Sequence, residues 1–283
     1  MHAADELIEL QEEHIPGLLR LCRQAGWPDY GERELRMLVQ QKSVFGYQNS
    51  KGDIISCIGL FRYGRLASIG IVIVDNKYKR QGLGRRMVNT CISKADKNAS
   101  IMLCATKEGL PLYEKSGFQT AGSVRKYSCQ HFKPMTKKHD FALTAFTELD
   151  FREVLAADQA AFGGDRSTLL HSLISQSDES VIIRNKEGKL IGYGLSAQTP
   201  CNLKFGPIVA PSSEAAAQLI NRLAAGKQGP MRIDVPGDSV SLHAPLKAMG
   251  FHLDDEPPLM LYPNKTFPAR NGQLFALISQ GLG

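Results

Sequence analysis

Hydrophobic and polar positions alternate in blocks along the chain, and the sharpest boundary falls at residues 69–86. Ile69-Gly70-Ile71-Val72-Ile73-Val74 is apolar without interruption, the pattern of a strand covered on both faces. A polar turn with two glycines follows, Asp75-Asn76-Lys77-Tyr78-Lys79-Arg80-Gln81-Gly82-Leu83-Gly84. Apolar residues then return at 83, 87, 88, 91, 92 and 95, one face of an α-helix that runs to about residue 97. The same periodicities predict helices over residues 14–25 and 32–41 and a hairpin of strands 43–48 and 53–61. They predict further strands at 68–74, 101–105 and 125–129, and a short helix at 110–116.

The pattern then repeats. Residues 180–184, the turn Asn185-Lys186-Glu187-Gly188 and residues 189–197 read as a second hairpin like the first. Leu112-Tyr113-Glu114-Lys115-Ser116-Gly117-Phe118 is echoed by Pro245-Leu246-Lys247-Ala248-Met249-Gly250-Phe251. The offsets are about 136 and 133 residues, which predicts two copies of one domain. A polar, proline-bearing stretch at 131–140 supplies the boundary, giving domains at 1–133 and 141–283 joined by a linker at 134–140. Residues 273–279 are expected to add a last strand.

Charge sharpens the picture. The chain carries a net charge of +6, divided as +8 over residues 1–140 and −2 over the remainder. Lys77, Lys79, Arg80, Arg85 and Arg86 crowd a predicted helix N-terminus, where the macrodipole disfavours each cation by roughly 0.3–1 kcal/mol. No Asp or Glu occurs from 76 to 95 to relieve them. A bound polyanion such as a diphosphate resolves the conflict, because the helix start offers unpaired N–H groups. On the glycines alone, a turn with a solvated basic face would serve as well.

Lys79-Arg80-Gln81-Gly82-Leu83-Gly84 closely resembles the (Gln/Arg)-x-x-Gly-x-(Gly/Ala) acetyl-CoA loop of the GNAT N-acetyltransferases, with Lys in the first position. About thirty residues later, Leu112-Tyr113-Glu114-Lys115-Ser116-Gly117-Phe118 resembles the family's Leu-Tyr-x-x-x-Gly-Phe signature. Two ordered motifs at family spacing are more specific than either alone, and the likeness covers roughly residues 6–130. It implies an α/β fold with a mixed sheet: two tandem GNAT-like domains, each a twisted sheet flanked by helices. It also implies acetyl-CoA as acyl donor and transfer to a primary amine of a small molecule or protein.

The resemblance assigns roles by position. The backbone of Val72, Ile73 and Val74 would hold the pantetheine arm and acetyl carbonyl. Lys79, Arg80, Gln81, Gly82, Leu83, Gly84 and Arg85 would cradle the diphosphate. Tyr113 would be the general acid that protonates the leaving thiolate, and Thr106 would bond the cofactor. No general base is visible: Asp75 sits at the strand end, where it could equally cap the loop, and Glu108 is a weaker candidate. Trp27, Asp29 and Tyr30 lie in the helix–helix connection that commonly lines the acceptor site, with a structural plug the competing role for Trp27. His243 and His252 are expected to be packed or solvated.

The second copy differs where chemistry would sit. Lys204-Phe205-Gly206-Pro207-Ile208-Val209-Ala210-Pro211-Ser212-Ser213-Glu214 lacks Gly-x-Gly and puts an acid near its helix start, and Leu246 stands in the place of Tyr113. The chain therefore looks like a tandem GNAT protein with one active and one degenerate copy, the latter packing on the first and walling its pocket.

Composition excludes several classes. Hydrophobic residues make up 43% and charged residues 22%, ordinary for a globular chain of 283 residues. There is no apolar run long enough to span a bilayer and no signal-peptide core, so a cytoplasmic location is expected, as monomer or homodimer. Six cysteines, at 22, 57, 91, 104, 129 and 201, show neither metal nor disulfide spacing. No zinc, helix-turn-helix or basic–aromatic pattern points to nucleic acid. The competing reading of the same loop is a CoA-binding regulatory or scaffold protein without catalysis.

Overall fold

In the computed structural model, which describes residues 6–135, 141–263 and 266–283, the chain passes twice through one order of elements. The first pass is β1 (Ile8–Glu9), α1 (Ile15–Gln24), α2 (Glu32–Gln40), β2 (Val44–Gln48), β3 (Ile54–Tyr63) and β4 (Leu66–Val74). It continues with α3 (Leu83–Lys94), β5 (Ser100–Cys104), α4 (Leu110–Lys115) and β6 (Gln119–Cys129). The second pass opens with β7 (Ala142–Ala145), α5 (Phe151–Phe162), α6 (Ser167–Gln176), β8 (Glu179–Arg184), β9 (Leu190–Gln198) and β10 (Leu203–Val209). It closes with α7 (Ser213–Ala224), β11 (Met231–Pro236), α8 (His243–Ala248), β12 (His252–Asp255), β13 (Pro258–Tyr262) and β14 (Leu274–Ala276). Residues 136–140 of the expected linker lie outside the described residues.

Local chemistry sets these elements. Helix α1 carries Pro16 in its first turn, where the missing N–H costs nothing, and buries Ile15, Leu18, Leu21 and Cys22 at helical spacing. Gly26, at φ +72°, follows its end. Strands β3 and β4 are buried on both faces along most of their length because helices cover each side.

One continuous mixed sheet runs β1-β2-β3-β4-β5-β13-β6-β11-β10-β9-β8-β7, with β12 also on β6 and β14 also on β10. The sheet does not divide at the linker. The first half of β6 pairs with β13, which in turn pairs Leu259 with Cys104 and Tyr262 with Ile101 on β5. The second half of β6 enters the other copy, where it pairs with β11 and β12. Each copy thus lends a strand to its neighbour, β6 from the first and β13 from the second. Pro257, between β12 and β13, lacks the N–H that a continuous strand would use there. The expected strand at 125–129 begins at 119 for this reason: its polar first half is a pairing strand with only one face covered.

Both copies splay at the same place. Strands β4 and β5 pair in parallel only at Leu66–Ser100, Ala67–Ile101 and Ser68–Met102. Strands β10 and β11 pair only at Leu203–Met231, Lys204–Arg232 and Phe205–Ile233. Beyond these points a bulge follows. In β4 it centres on Ile71, at φ +45°, and in β10 on Gly206, at φ +147°. A shared core joins the copies, in which Leu18, Leu38, Tyr63 and Met102 cluster with Phe162, Leu170, Tyr193 and Leu277.

Candidate active site

The two motifs of the first copy meet at one glycine. A Cβ on Gly84 would lie 3.3 Å from Leu112 Cδ2 and 3.9 Å from Val74 Cγ2, so loop, strand end and α4 converge there. Gly82 has open space around it, and what it supplies is a backbone at φ +80°; Arg80 is also left-handed, at φ +64°. Among the described residues, no group accepts from the backbone N–H groups of residues 80–85; the first such bond runs from the Arg86 N–H to the Gly82 carbonyl at 3.0 Å. Helix α3 has neither a side-chain cap nor an acid in its first turn. The six amides of residues 80–85 are therefore left without protein acceptors among the described residues in a basic loop, the arrangement that binds phosphate.

Past Ser68, the edge of β4 facing β5 has no strand partner among the described residues, which leaves the backbone of Val72, Ile73 and Val74 free of strand pairing on that side. Val72 and Val74 are half-buried, with side chains on the α3 face, while Ile73 packs into the shared core. Asp75 is fully engaged: its carboxylate accepts the Lys77 N–H at 3.0 Å and pairs with Arg20. Burial opposes its ionisation, but the Lys77 amide and Arg20 hold it below the usual carboxylate range. It is a loop cap, the second of the two roles its position allowed.

Tyr113 lies at the other side of the convergence, its ring 6.1 Å from that of Phe118 in an edge-on pair. The ring is buried, and no protein group hydrogen-bonds its hydroxyl among the described residues. Burial, and secondarily the neighbouring Cys104, push its pKa up to about 12. Thr106 Oγ1 accepts the Gly109 N–H at 3.1 Å, in the turn just before α4, which leaves the hydroxyl proton available. Glu108 is exposed beside it.

The remaining candidates are placed elsewhere. Trp27 is half-buried against the shared core, 6.2 Å from the ring of Tyr30, as a plug would be. Asp29 pairs with Arg232 of the second copy and accepts from Asn202 at 2.7 Å, so it ties the copies together. His243 Nδ1 bonds the Tyr127 hydroxyl at 2.9 Å, and His252 lies 3.1 Å from both Ser128 and Asp254. All six cysteines are free thiols.

The periodicity missed a buried ionic group between the copies. Asp234, fully buried, binds Arg232 at 3.0 Å and Lys204 at 3.2 Å, and Gln280 donates to it at 3.3 Å. Desolvation raises its pKa, but Lys204 and Arg232 outweigh that and keep it ionised. The signal was present in the sequence as charges at 204, 232 and 234 inside otherwise apolar strands.

The second copy is built differently at each corresponding point. Helix α7 is capped by Ser212 Oγ, which accepts the Ala215 N–H at 3.3 Å, and Glu214 adds an acid in its first turn. Leu246 is completely buried. Strand β14 sits against β10 just past the point where β10 leaves β11.

A mixed sheet whose central strands splay, present twice, with a glycine-rich helix start beside the splay in the first copy, defines a tandem acetyltransferase fold. Profiles described as an acetyltransferase (GNAT) domain match residues 24–139 and residues 154–276. The chain is 69% identical over its full length, and that of the relative, to YitH of Bacillus subtilis (strain 168), named an uncharacterized N-acetyltransferase. It belongs to the GNAT family and is an N-acetyltransferase. Among solved structures, a candidate acetyltransferase from Pyrococcus horikoshii shares the fold with a TM-score of 0.83 at 17% identity, covering 98% of this chain and 95% of that one. A tandem GNAT protein from the clavulanic acid biosynthesis pathway gives 0.67 at 11%, covering 92% and 98%. Among the described residues no helix is long and apolar enough to cross a membrane.

Proposed function

We propose that the first copy transfers the acetyl group of acetyl-CoA to a primary amine of a small molecule or protein, and that the second copy binds no cofactor. The observation that carries this reading is the convergence at Gly84 of an unpartnered amide loop, the free edge of β4 and the Tyr113 helix. Acetyl-CoA supplies the activated acyl thioester. The N–H groups of Arg80 to Arg85, with Lys79 beside them, hold its diphosphate. The backbone of Val72, Ile73 and Val74 runs alongside the pantetheine arm, and Thr106 donates to it. Tyr113 gives its hydroxyl proton to the sulfur as the C–S bond breaks, while the attacking amine loses its proton to solvent. The self-capped α7, the buried Leu246 and β14 support silence of the second copy.

Calorimetry with CoA on the wild type and on Gly84→Asp tests the site. A Cβ at Gly84 would press only on the flexible end of Leu112 and meet Val74 at ordinary contact distance, so the variant should fold. Its charge faces the phosphate position, so binding should be lost while thermal unfolding is unchanged. The wild type should take one mole of CoA per chain. Wild-type affinity in Gly84→Asp would overturn the site, and two moles would overturn the silent second copy. Thiol release from acetyl-CoA over a panel of amines then separates catalysis from binding alone.

A further inference from the structure

Residues 273–283 visit the two copies in turn. Strand β14 occupies the gap where β10 and β11 part. On one side, Ile208 pairs with Ala276 and Val209 with Leu274. On the other, the Leu277 N–H donates to the Asp234 carbonyl at 2.8 Å, and Ser239 Oγ donates to the Leu274 carbonyl at 3.1 Å. A Cβ on Gly206 would lie 2.0 Å from the Leu277 oxygen. An extended segment of the protein thus bridges the splayed strands where an extended ligand arm would have to lie.

Four residues further on, the same segment reaches the matching point of the first copy. Positions 70 and 206 are separated by the repeat offset, and a Cβ on Gly70 would lie 2.4 Å from the Gly281 oxygen. Ser68 Oγ donates to that oxygen at 3.0 Å, and the Tyr63 hydroxyl donates to the Leu282 carbonyl at 3.0 Å. The Leu282 and Gly283 N–H groups fold back onto the Ser279 carbonyl, at 3.2 and 3.0 Å, which closes a turn. That turn rests on Gly70 and Ile71. Ile71 is a β-branched residue at φ +45°, a strained conformation that persists only where its surroundings impose it. The bulge at Ile71 is also what carries Val72–Val74 away from β5.

We propose that residues 279–283 are a positioning element of the first copy's active centre, holding the Gly70–Ile71 bulge, while β14 of the same segment keeps the second copy's cleft closed. The proposal rests on the reading that the first copy is the active one. The anchoring of β14 between β10 and β11 fixes where the turn falls on β4, so the closed cleft and the open one are set by one piece of chain.

The test is the double variant Ser68→Ala, Tyr63→Phe, which removes two hydrogen bonds to the turn and introduces no bulk. Backbone amide exchange across residues 69–74 should quicken by about fivefold to tenfold for each bond lost, while that of β8 and β9 stays unchanged. Thiol release from acetyl-CoA, with the best amine of the panel, should fall about tenfold. Affinity for CoA should stay within about threefold of wild type, because the amide loop that holds the diphosphate is untouched. Ser68→Ala alone gives the same comparison should the double variant unfold. Unchanged exchange at 69–74 with unchanged thiol release would overturn the positioning role. So would faster exchange throughout the chain that simply follows a lower Tm. A second mole of CoA would overturn the closed cleft. Failure of the wild type to bind CoA would instead overturn the active-site reading beneath the proposal, and the exchange data would report on the bulge independently.

Discussion

Asp158 and Arg166 meet through two hydrogen bonds of 2.8 Å, Nε to Oδ2 and Nη2 to Oδ1, with neither side chain exposed to water. The third arm of the guanidinium donates to the Gly283 carbonyl at 2.7 Å, and its plane lies 3.9 Å from the Phe162 ring. The Tyr193 hydroxyl completes the carboxylate. Every polar atom is matched, so removal of one partner matters more than the net value of the pair. Arg166→Met should leave the buried Asp158 without its cationic partner and cost about 3–5 kcal/mol. Pairing it with Asp158→Leu should recover much of that loss. Urea unfolding of the two variants checks the difference.

The exchange of β6 and β13 makes the copies one folding unit. A chain ending at residue 135 would keep β5 with its outer edge bare, because Leu259 to Tyr262 supply the strand beside it. It would also leave the second half of β6 with neither β11 nor β12. Bare edges of this kind aggregate. The first copy expressed alone should be insoluble, and co-expression with residues 141–283 should rescue it. The intact chain should unfold in a single calorimetric transition, with equal calorimetric and van't Hoff enthalpies. Two separated transitions would contradict the shared sheet.

The helices and hairpins were legible in the sequence because each depends on short-range periodicity. The edges of α1 and α2, and of β2, β3, β8 and β9, fall within one or two residues of where the apolar spacing puts them. Strand exchange was not legible, since nothing in Pro258–Tyr262 says which of two similar sheets it will join. Pro257 marks the break but not the destination. At the candidate site, Gly82, Gly84, Leu112 and Tyr113 could be found because motif spacing carries their relation. In the ionic group of Asp234, Arg232, Lys204 and Asp29, the charges at 204, 232 and 234 stand out inside apolar strands, but their link to Asp29 could not be read, because Asp29 and Arg232 lie 203 positions apart in the chain.

Asp75 anchors the basic loop through the Lys77 amide and Arg20. Its pKa is lower in the folded chain than the ordinary value of about 3.9. A depressed carboxylate pKa contributes stability that is fully present above the unfolded value and is lost as pH falls through the folded one. Asp75→Ala should therefore lower stability by about 0.5–2 kcal/mol, the range for loss of a cap, and the gap should hold constant between pH 5 and 8. Below about pH 4 the two proteins should begin to converge, and meet once the pH has fallen through the lowered pKa of Asp75. Paired thermal melts along this pH series test both the size and the sign.

Tyr113 carries the chemical prediction. Its hydroxyl has no protein partner among the described residues, and burial pushes its pKa up to about 12, so it remains protonated across the working range. Tyr113→Phe should lower kcat by roughly 10²–10⁴-fold, the usual contribution of general acid catalysis. Acetyl-CoA affinity should change little, because the ring keeps its edge-on contact with Phe118 and only one hydroxyl is lost. A thiol has a pKa near 8.5, so above that pH the leaving sulfur needs the proton less and the defect should narrow. The wild type should show no loss of rate from tyrosine ionisation up to about pH 11, since a raised pKa favours the protonated form. A packing role predicts another pattern, with lower Tm and weaker cofactor binding in step. Unchanged turnover at pH 7, with chemistry shown to limit the rate by single-turnover measurement, would remove Tyr113 from the mechanism.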